Sequence, residues 1–398
     1  MFERKYTSSA PEMQSRSGEI RLSEAFFLLP VLQKKEEEAI FLENIRNCNA
    51  QTQETRMRAA LLLAAIGTGA LLATGCATDP RPDPTLLRTE ADNFRAAFSG
   101  TADRQIEAIR RAVSGDRAML DAIRMERRTE TPPPPGITTA DTLIPSASGT
   151  LPLRIYHPSR PDEKPRPMVI YLHGGGWVIG SIESASRVAG ELAARSGAVV
   201  LVPEYRLAPE SPYPAALDDL MAVIRFVHDL APLYGGDPLK IVLAGDSAGG
   251  NLALAAALRL ARTGKPRAAG LILFYPVTTL VPEKSGSYLR YGRGYALDSR
   301  LMETFATAYH PADDCRDNPE ISPLYGNPGE LPPFLLVTAE RDILHDQGTA
   351  LAEKAAAAGV RVEHLDLPGA THLFITMPGM DCAFEQALSA AVNFIGTL

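Results

Sequence analysis

The chain has 398 residues, 45% hydrophobic and 22% charged, with 40 basic against 47 acidic side chains and a formal net charge of −7. That composition excludes a disordered or fibrous chain and leaves ample length for one large α/β domain with additions, or for two domains. No basic block stands out, which argues against a nucleic-acid partner. The four cysteines, Cys48, Cys76, Cys315 and Cys382, are too few for a disulfide scaffold and include no CxxC pair for zinc.

Residues 1–56 carry charge clusters such as Lys34-Lys35-Glu36-Glu37-Glu38 and a single glycine, Gly18. They read as an upstream or disordered extension before Met57. An apolar run of 16 residues then spans 59–74, shorter than the roughly 20 a membrane span needs. Arg56 and Arg58 precede it and small residues close it, the marks of a secretory signal. The closing Leu72-Ala73-Thr74-Gly75-Cys76 resembles a bacterial lipoprotein signal, with Ala73 where leucine is commoner. The resemblance implies a signal over 57–76, lipid attachment at Cys76, and an exported protein held in the periplasm or at the outer membrane. Asp79-Pro80-Arg81-Pro82-Asp83-Pro84 then serves as a solvated tether. The competing readings are a buried core helix or an uncleaved anchor, and a cytoplasmic protein if the signal is not used.

Residues 77–149 are expected to hold this tether and cap helices. Two helical stretches fall within 85–130, one marked by Leu86, Leu87, Phe94 and Phe98, the other by Ile106, Ile109, Val113, Leu120 and Ile123. The prolines at 132–135 end helix and act as a stiff spacer. From about residue 150 short apolar runs (153–156, 168–172, 198–202, 241–244, 271–275, 334–338, 362–367) alternate with amphipathic stretches (185–196, 215–230, 248–263, 299–309, 345–358, 382–396). Strand–helix alternation predicts an α/β domain over 150–398, with a mostly parallel sheet covered by helices on both faces. Residues 281–333 break the rhythm with Gly286, Gly292, Gly294 and several tyrosines. They read as a cap insertion near 281–320 that contains a helical piece and, with 77–130, forms a lid.

The strongest chemical signal is Gly245-Asp246-Ser247-Ala248-Gly249-Gly250, between an apolar run and a helical stretch. That is the setting of a nucleophile elbow, where a tight turn projects the serine and its neighbours must lack bulk. A serine hydroxyl needs a base, and the base an orienting acid, in the order serine, acid, histidine. Of the histidines that follow, His364 lies inside an apolar run and His345 begins a helix. His372 sits in a loop just past a run, where the sheet's carboxyl edge places a site, and is the expected base. For the acid, Glu340, Asp342 and Asp346 all follow the run 334–338 and compete. His173-Gly174-Gly175-Gly176-Trp177 follows the run 168–172 and reads as an oxyanion loop. Gly174 and Gly175 amides are the expected donors, with Ala248 the third; His173 itself reads as a structural residue.

These motifs resemble the bacterial hormone-sensitive-lipase family of α/β-hydrolases over roughly 150–396. Besides those quoted, the match includes Tyr205-Arg206-Leu207-Ala208-Pro209-Glu210, Tyr213-Pro214-Ala215-Ala216-Leu217-Asp218-Asp219, Tyr275-Pro276, Ser322-Pro323-Leu324, Thr338-Ala339-Glu340-Arg341-Asp342 and Gly369-Ala370-Thr371-His372-Leu373-Phe374. The resemblance implies Ser247 as nucleophile, Asp342 as acid, His372 as base, a helical cap, no metal or cofactor, and small-molecule esters of short to medium acyl chain as substrates. It departs at Leu373, where glycine is usual, and at Ile343, where proline is common. The rival readings are a serine amidase or deacetylase on the same fold and a non-catalytic binding module, the latter disfavoured by a complete serine, acid and histidine set. Cys315 and Cys382 read as two buried thiols, with a disulfide as the alternative in an oxidising compartment.

Overall fold

The computed structural model describes residues 84–398 apart from 98–99, 148, 161–163, 265–266 and 283–285. The apolar run 59–74, Cys76 and the extension 1–56 lie outside the described residues. Three helices come first, α1 (Pro84–Ala97), α2 (Thr101–Val113) and α3 (Ala118–Arg127). Then follow β1 (Ile137–Ser146), β2 (Gly149–Pro158), β3 (Arg166–Leu172), α4 (Ser186–Ser196), β4 (Val199–Pro203), α5 (Ala215–Leu230), β5 (Gly236–Asp246), α6 (Ala248–Thr263) and β6 (Gly270–Phe274). The chain closes with α7 (Gly286–Arg290), α8 (Ser299–Tyr309), β7 (Phe334–Arg341), α9 (His345–Ala357), β8 (Val362–Thr371) and α10 (Asp381–Gly396).

The strands form one sheet in the order β1-β2-β4-β3-β5-β6-β7-β8. β2 is antiparallel to both β1 and β4, and every pair from β4 to β8 is parallel. The inner strands are apolar without alternation because both faces are covered: all five residues of β4 and of β6 are buried. One face sends Val169, Tyr171, Val242, Ala244, Ile272 and Phe274 into a cluster with Val188 and Leu192 of α4 and Phe384 and Leu388 of α10. Each such buried side chain contributes about 1.5–3 kcal/mol. On the other face α5 and α6 pack on β5 and on each other, and α9 packs on β7.

The chain runs from β3 outward to β4 and then returns to the opposite side of β3 as β5. The crevice at their carboxyl ends is therefore a topological switch point, where ligands bind in open α/β sheets. The loops that leave β3 and β5 are the two glycine-rich segments.

Four features differ from expectation. The second N-terminal helical stretch is two helices, broken at 114–117, where Gly115 adopts φ +100°. Val113, expected on the core face, is 56% exposed. The sheet begins at β1, inside the segment expected to hold only tether and cap helices. As an edge strand β1 buries only Ile137 and Ile144, so its sequence carries little alternation to read. The cap insertion contains two helices, α7 and α8, where one was expected, and α8 packs on α2. Cys315 and Cys382 are not joined by a disulfide, and Cys315 is exposed where a buried thiol was expected. Among the described residues no helix is long and apolar enough to cross a membrane.

Candidate active site

β5 ends at Asp246, and Ser247 follows in a conformation that side chains rarely adopt, φ 55° and ψ −117°. The turn holds because its flanks are glycine. A Cβ on Gly249 would lie 2.0 Å from the Leu172 carbonyl oxygen, and one on Gly245 would lie 2.5 Å from the Gly249 backbone. Ser247 also donates its amide to Phe274 at 3.0 Å, and its carbonyl accepts from Val277 at 3.1 Å. The strained elbow is therefore tied to β6 on one side and opens α6 on the other.

β7 and β8 carry the partners. Their register shifts between Ala339 and Arg341, after which Arg341 pairs with Thr371. The next residue of each strand is thus Asp342 and His372, side by side. His372 Nδ1 donates to Asp342 Oδ2 at 2.6 Å, and Ser247 Oγ donates to His372 Nε2 at 3.0 Å. Asp342 Oδ1 accepts the Leu344 amide at 3.1 Å. All three side chains are buried, at 5%, 1% and 3% exposure for Ser247, Asp342 and His372. The Tyr275 ring packs against the imidazole with centroids 4.5 Å apart. β8 extends to Thr371, so His372 stands at the strand end itself, where a preceding loop was expected.

The competing groups are engaged elsewhere. Glu340 accepts the Gly369 amide at 2.6 Å. Asp346 accepts from Ser287 at 2.8 Å and pairs with His345, also at 2.8 Å. His364 bonds Thr338 at 2.9 Å. His173 is buried, stacks on Tyr205 with centroids 4.2 Å apart, and donates Nδ1–H to the Gly174 carbonyl at 2.9 Å. Burial lowers its pKa and keeps it neutral.

The oxyanion loop requires one correction. Gly174 does not have a free amide: its N–H donates to Asp246 Oδ1 at 2.9 Å. The amides of Gly175 and Gly176 make no backbone hydrogen bond among the described residues, so within this loop they remain available as donors. Both glycines have positive φ, +114° and +61°. A Cβ on Gly176 would strike the Phe305 ring of α8 at 2.2 Å. Ala248 is the first residue of α6, where an N–H has no intrahelical acceptor and the helix dipole favours negative charge. Trp177, which follows the loop, is fully buried and stacks on Tyr309 at 4.4 Å.

Asp246 and Tyr171 are functional neighbours that sequence reasoning passed over. The Tyr171 hydroxyl donates to Asp246 Oδ1 at 2.9 Å, so one buried carboxylate joins β3, the oxyanion loop and the elbow. Burial pushes its pKa up to about 6, against the pull of the Tyr171 bond. The available signal was an acidic residue just past the apolar run 241–244, which burial makes costly unless it is bonded. Leu373 is a second anomaly. It holds φ +74°, a region that costs a side chain roughly 1–2 kcal/mol, which explains why glycine is usual there.

Comparison with known proteins agrees with this fold. The α/β-hydrolase fold family matches residues 169–376. The carboxylesterase NlhH of Mycobacterium tuberculosis is 33% identical over 304 residues, covering 75% of this chain and 91% of its own. The ethyl acetate hydrolase of Pseudomonas putida is 38% identical over 247 residues, covering 61% of this chain and 77% of its own. Among solved structures, an α/β-hydrolase from the metagenome of Lake Arreo superposes with a TM-score of 0.68 at 30% identity, covering 78% of this chain and 99% of its own. The Pyrobaculum calidifontis esterase superposes with a TM-score of 0.63 at 30% identity, covering 81% of this chain and 95% of its own. The chain belongs to the α/β-hydrolase fold family. Within that class it is a serine ester hydrolase of the carboxylesterase type.

Proposed function

We propose that the chain cleaves carboxylic esters of short to medium acyl chain through an acyl-enzyme on Ser247. The observation that carries this reading is the unbroken line of bonds from Ser247 Oγ to His372 Nε2 (3.0 Å) and from His372 Nδ1 to Asp342 Oδ2 (2.6 Å). Ser247 Oγ attacks the ester carbonyl while His372 Nε2 takes its proton. Asp342 holds the imidazole in the tautomer that leaves Nε2 able to accept, and stabilises the imidazolium. The tetrahedral oxyanion is received by the amides of Gly175, Gly176 and Ala248, each such donor being worth about 2.7–4 kcal/mol. His372 then protonates the departing alcohol, and water, activated by the same base, releases the acid from Ser247.

Two observations support a short acyl chain. The Phe305 ring is seated against Gly176, which puts bulk beside the proposed oxyanion amides, and one relative is named for hydrolysis of ethyl acetate. The test is a series of p-nitrophenyl esters from acetate to laurate with Ser247→Ala as control. We expect kcat/KM to be highest at or below about eight carbons and Ser247→Ala to lose about 10⁴-fold or more with its circular dichroism unchanged. A rate equal to wild type in that variant, or an optimum at laurate, refutes the assignment or the chain-length preference respectively.

We further propose that the protein is exported and lipid-anchored at Cys76. The support is the basic-flanked apolar run 59–74 and the small residues before the cysteine. Labelled palmitate should enter the wild-type chain and not Cys76→Ser; equal labelling of both rejects the anchor.

A further inference from the structure

His345, Asp346 and His364 lie close to the triad in sequence, and none of them joins it. They are joined instead to one another through Asp366 and Thr338, on β8 and β7. The loop that carries Asp342 is short: β7 ends at Arg341 and α9 begins at His345, so the triad acid has two residues of slack before the next element. Among the described residues, the cap hydrogen-bonds this loop through Ser287. Ser287 of α7 is fully buried. Its hydroxyl donates to the Ile343 carbonyl at 3.0 Å and accepts the Asp346 amide at 3.2 Å. Its own amide donates to Asp346 Oδ2 at 2.8 Å. One cap residue thus grips the residue after the triad acid and the residue four beyond it.

The far end of the grip is charged. His345 Nδ1 donates to Asp346 Oδ1 at 2.8 Å, and its Nε2 faces Asp366 Oδ1 of β8 at 3.3 Å. Asp366 also accepts from Thr338 of β7 at 2.9 Å, and Thr338 in turn bonds His364 Nε2 at 2.9 Å. Arg290, on the same cap helix as Ser287, stands 3.9 Å from Asp346. The bond to Asp366, with Asp346 beside it, raises the His345 pKa to about 9. Burial opposes ionisation of Asp346, but the bonds from His345 and the Ser287 amide outweigh it and hold its carboxyl below the usual range. At neutral pH the loop's outer end is therefore a carboxylate–imidazolium–carboxylate chain anchored to two strands.

We propose that Ser287 and Asp346 are positioning residues: they latch the cap helix α7 to the acid loop, so that Asp342 stays in register with His372 only while that part of the cap is seated. The physical reason is leverage. A displacement of about 1 Å in a catalytic group costs up to roughly 100-fold in rate, and the two-residue loop transmits any shift of Ile343 to Asp342. The proposal rests on Asp342 being the orienting carboxylate.

Ser287→Ala and Ser287→Cys remove the hydroxyl bonds with little change in volume, and Asp346→Asn keeps an acceptor for the Ser287 amide while removing the charge that faces His345. In all three we expect kcat for p-nitrophenyl butyrate to fall about 10- to 100-fold, with KM within about twofold of wild type. Asp342→Asn, measured alongside, sets the size of the full loss. Wild-type kcat in the variants, with only a lower melting temperature, overturns the latch and leaves a purely structural role. A harmless Asp342→Asn overturns the catalytic reading instead.

Discussion

At the scale of single residues, Asp246 shows how a site can carry an unfavourable group for the sake of geometry. Its carboxylate is 1% exposed, and it binds the Gly174 amide and the Tyr171 hydroxyl with the same oxygen. Its pKa in the folded chain, about 6 against an ordinary 3.8, means the fold prefers it protonated. Stability from this group is present in full below the unfolded value near 3.8 and is lost as pH rises through about 6. Asp246→Asn removes that loss. Its melting temperature should exceed wild type above pH 6, with the gap closing toward pH 4 in a calorimetric series. The same change should lower kcat about 5- to 10-fold, because a neutral acceptor holds the oxyanion loop with roughly half the strength of a charged one. A variant whose stability follows pH as wild type does would mean that Asp246 is not the buried charge.

At the scale of elements, the helices were nearly all legible and the strand ends were not. The predicted stretches 215–230, 248–263 and 299–309 coincide with α5, α6 and α8, since apolar spacing and clear breakers mark both ends of each. Strands were recognised by their apolar middles only. β5, expected over 241–244, runs from Gly236 to Asp246, and the extra residues are those whose pairing, not composition, makes them strand. The helix α1 shows what the pattern did convey. Its Leu87, Ala91 and Phe94 join the core beneath β8 and α10. Burial of the two large side chains alone is worth about 3–6 kcal/mol. A chain beginning at Thr101 should therefore melt about 5–10 °C below one beginning at Asp79. Equal melting temperatures, read by scanning calorimetry, would show that α1 only lies on the surface.

At the scale of the whole molecule, order along the sheet brings the chemistry together. The elbow and the oxyanion loop leave adjacent strands at the switch point, while the acid and the base leave the last two strands of the sheet. The sequence alone indicated the α/β class, the tight turn at Ser247 and the position of His372 just past a strand. These follow from local rules: a tight turn tolerates only glycine at its flanks, and a strand covered on both faces is apolar throughout. Three carboxylates remained equivalent by position, and only the resemblance to a known family separated Asp342 from Glu340 and Asp346. Tertiary structure separates them physically. The register shift between β7 and β8 sets residue 342 beside residue 372, and the other two carboxylates are bonded to Gly369 and Ser287. It also decided which amides remain available, since the Gly174 N–H points at a carboxylate that is 72 residues away in sequence. A hydrogen bond between distant segments leaves no periodic trace in either of them, so its partners become visible only once the sheet has placed them side by side.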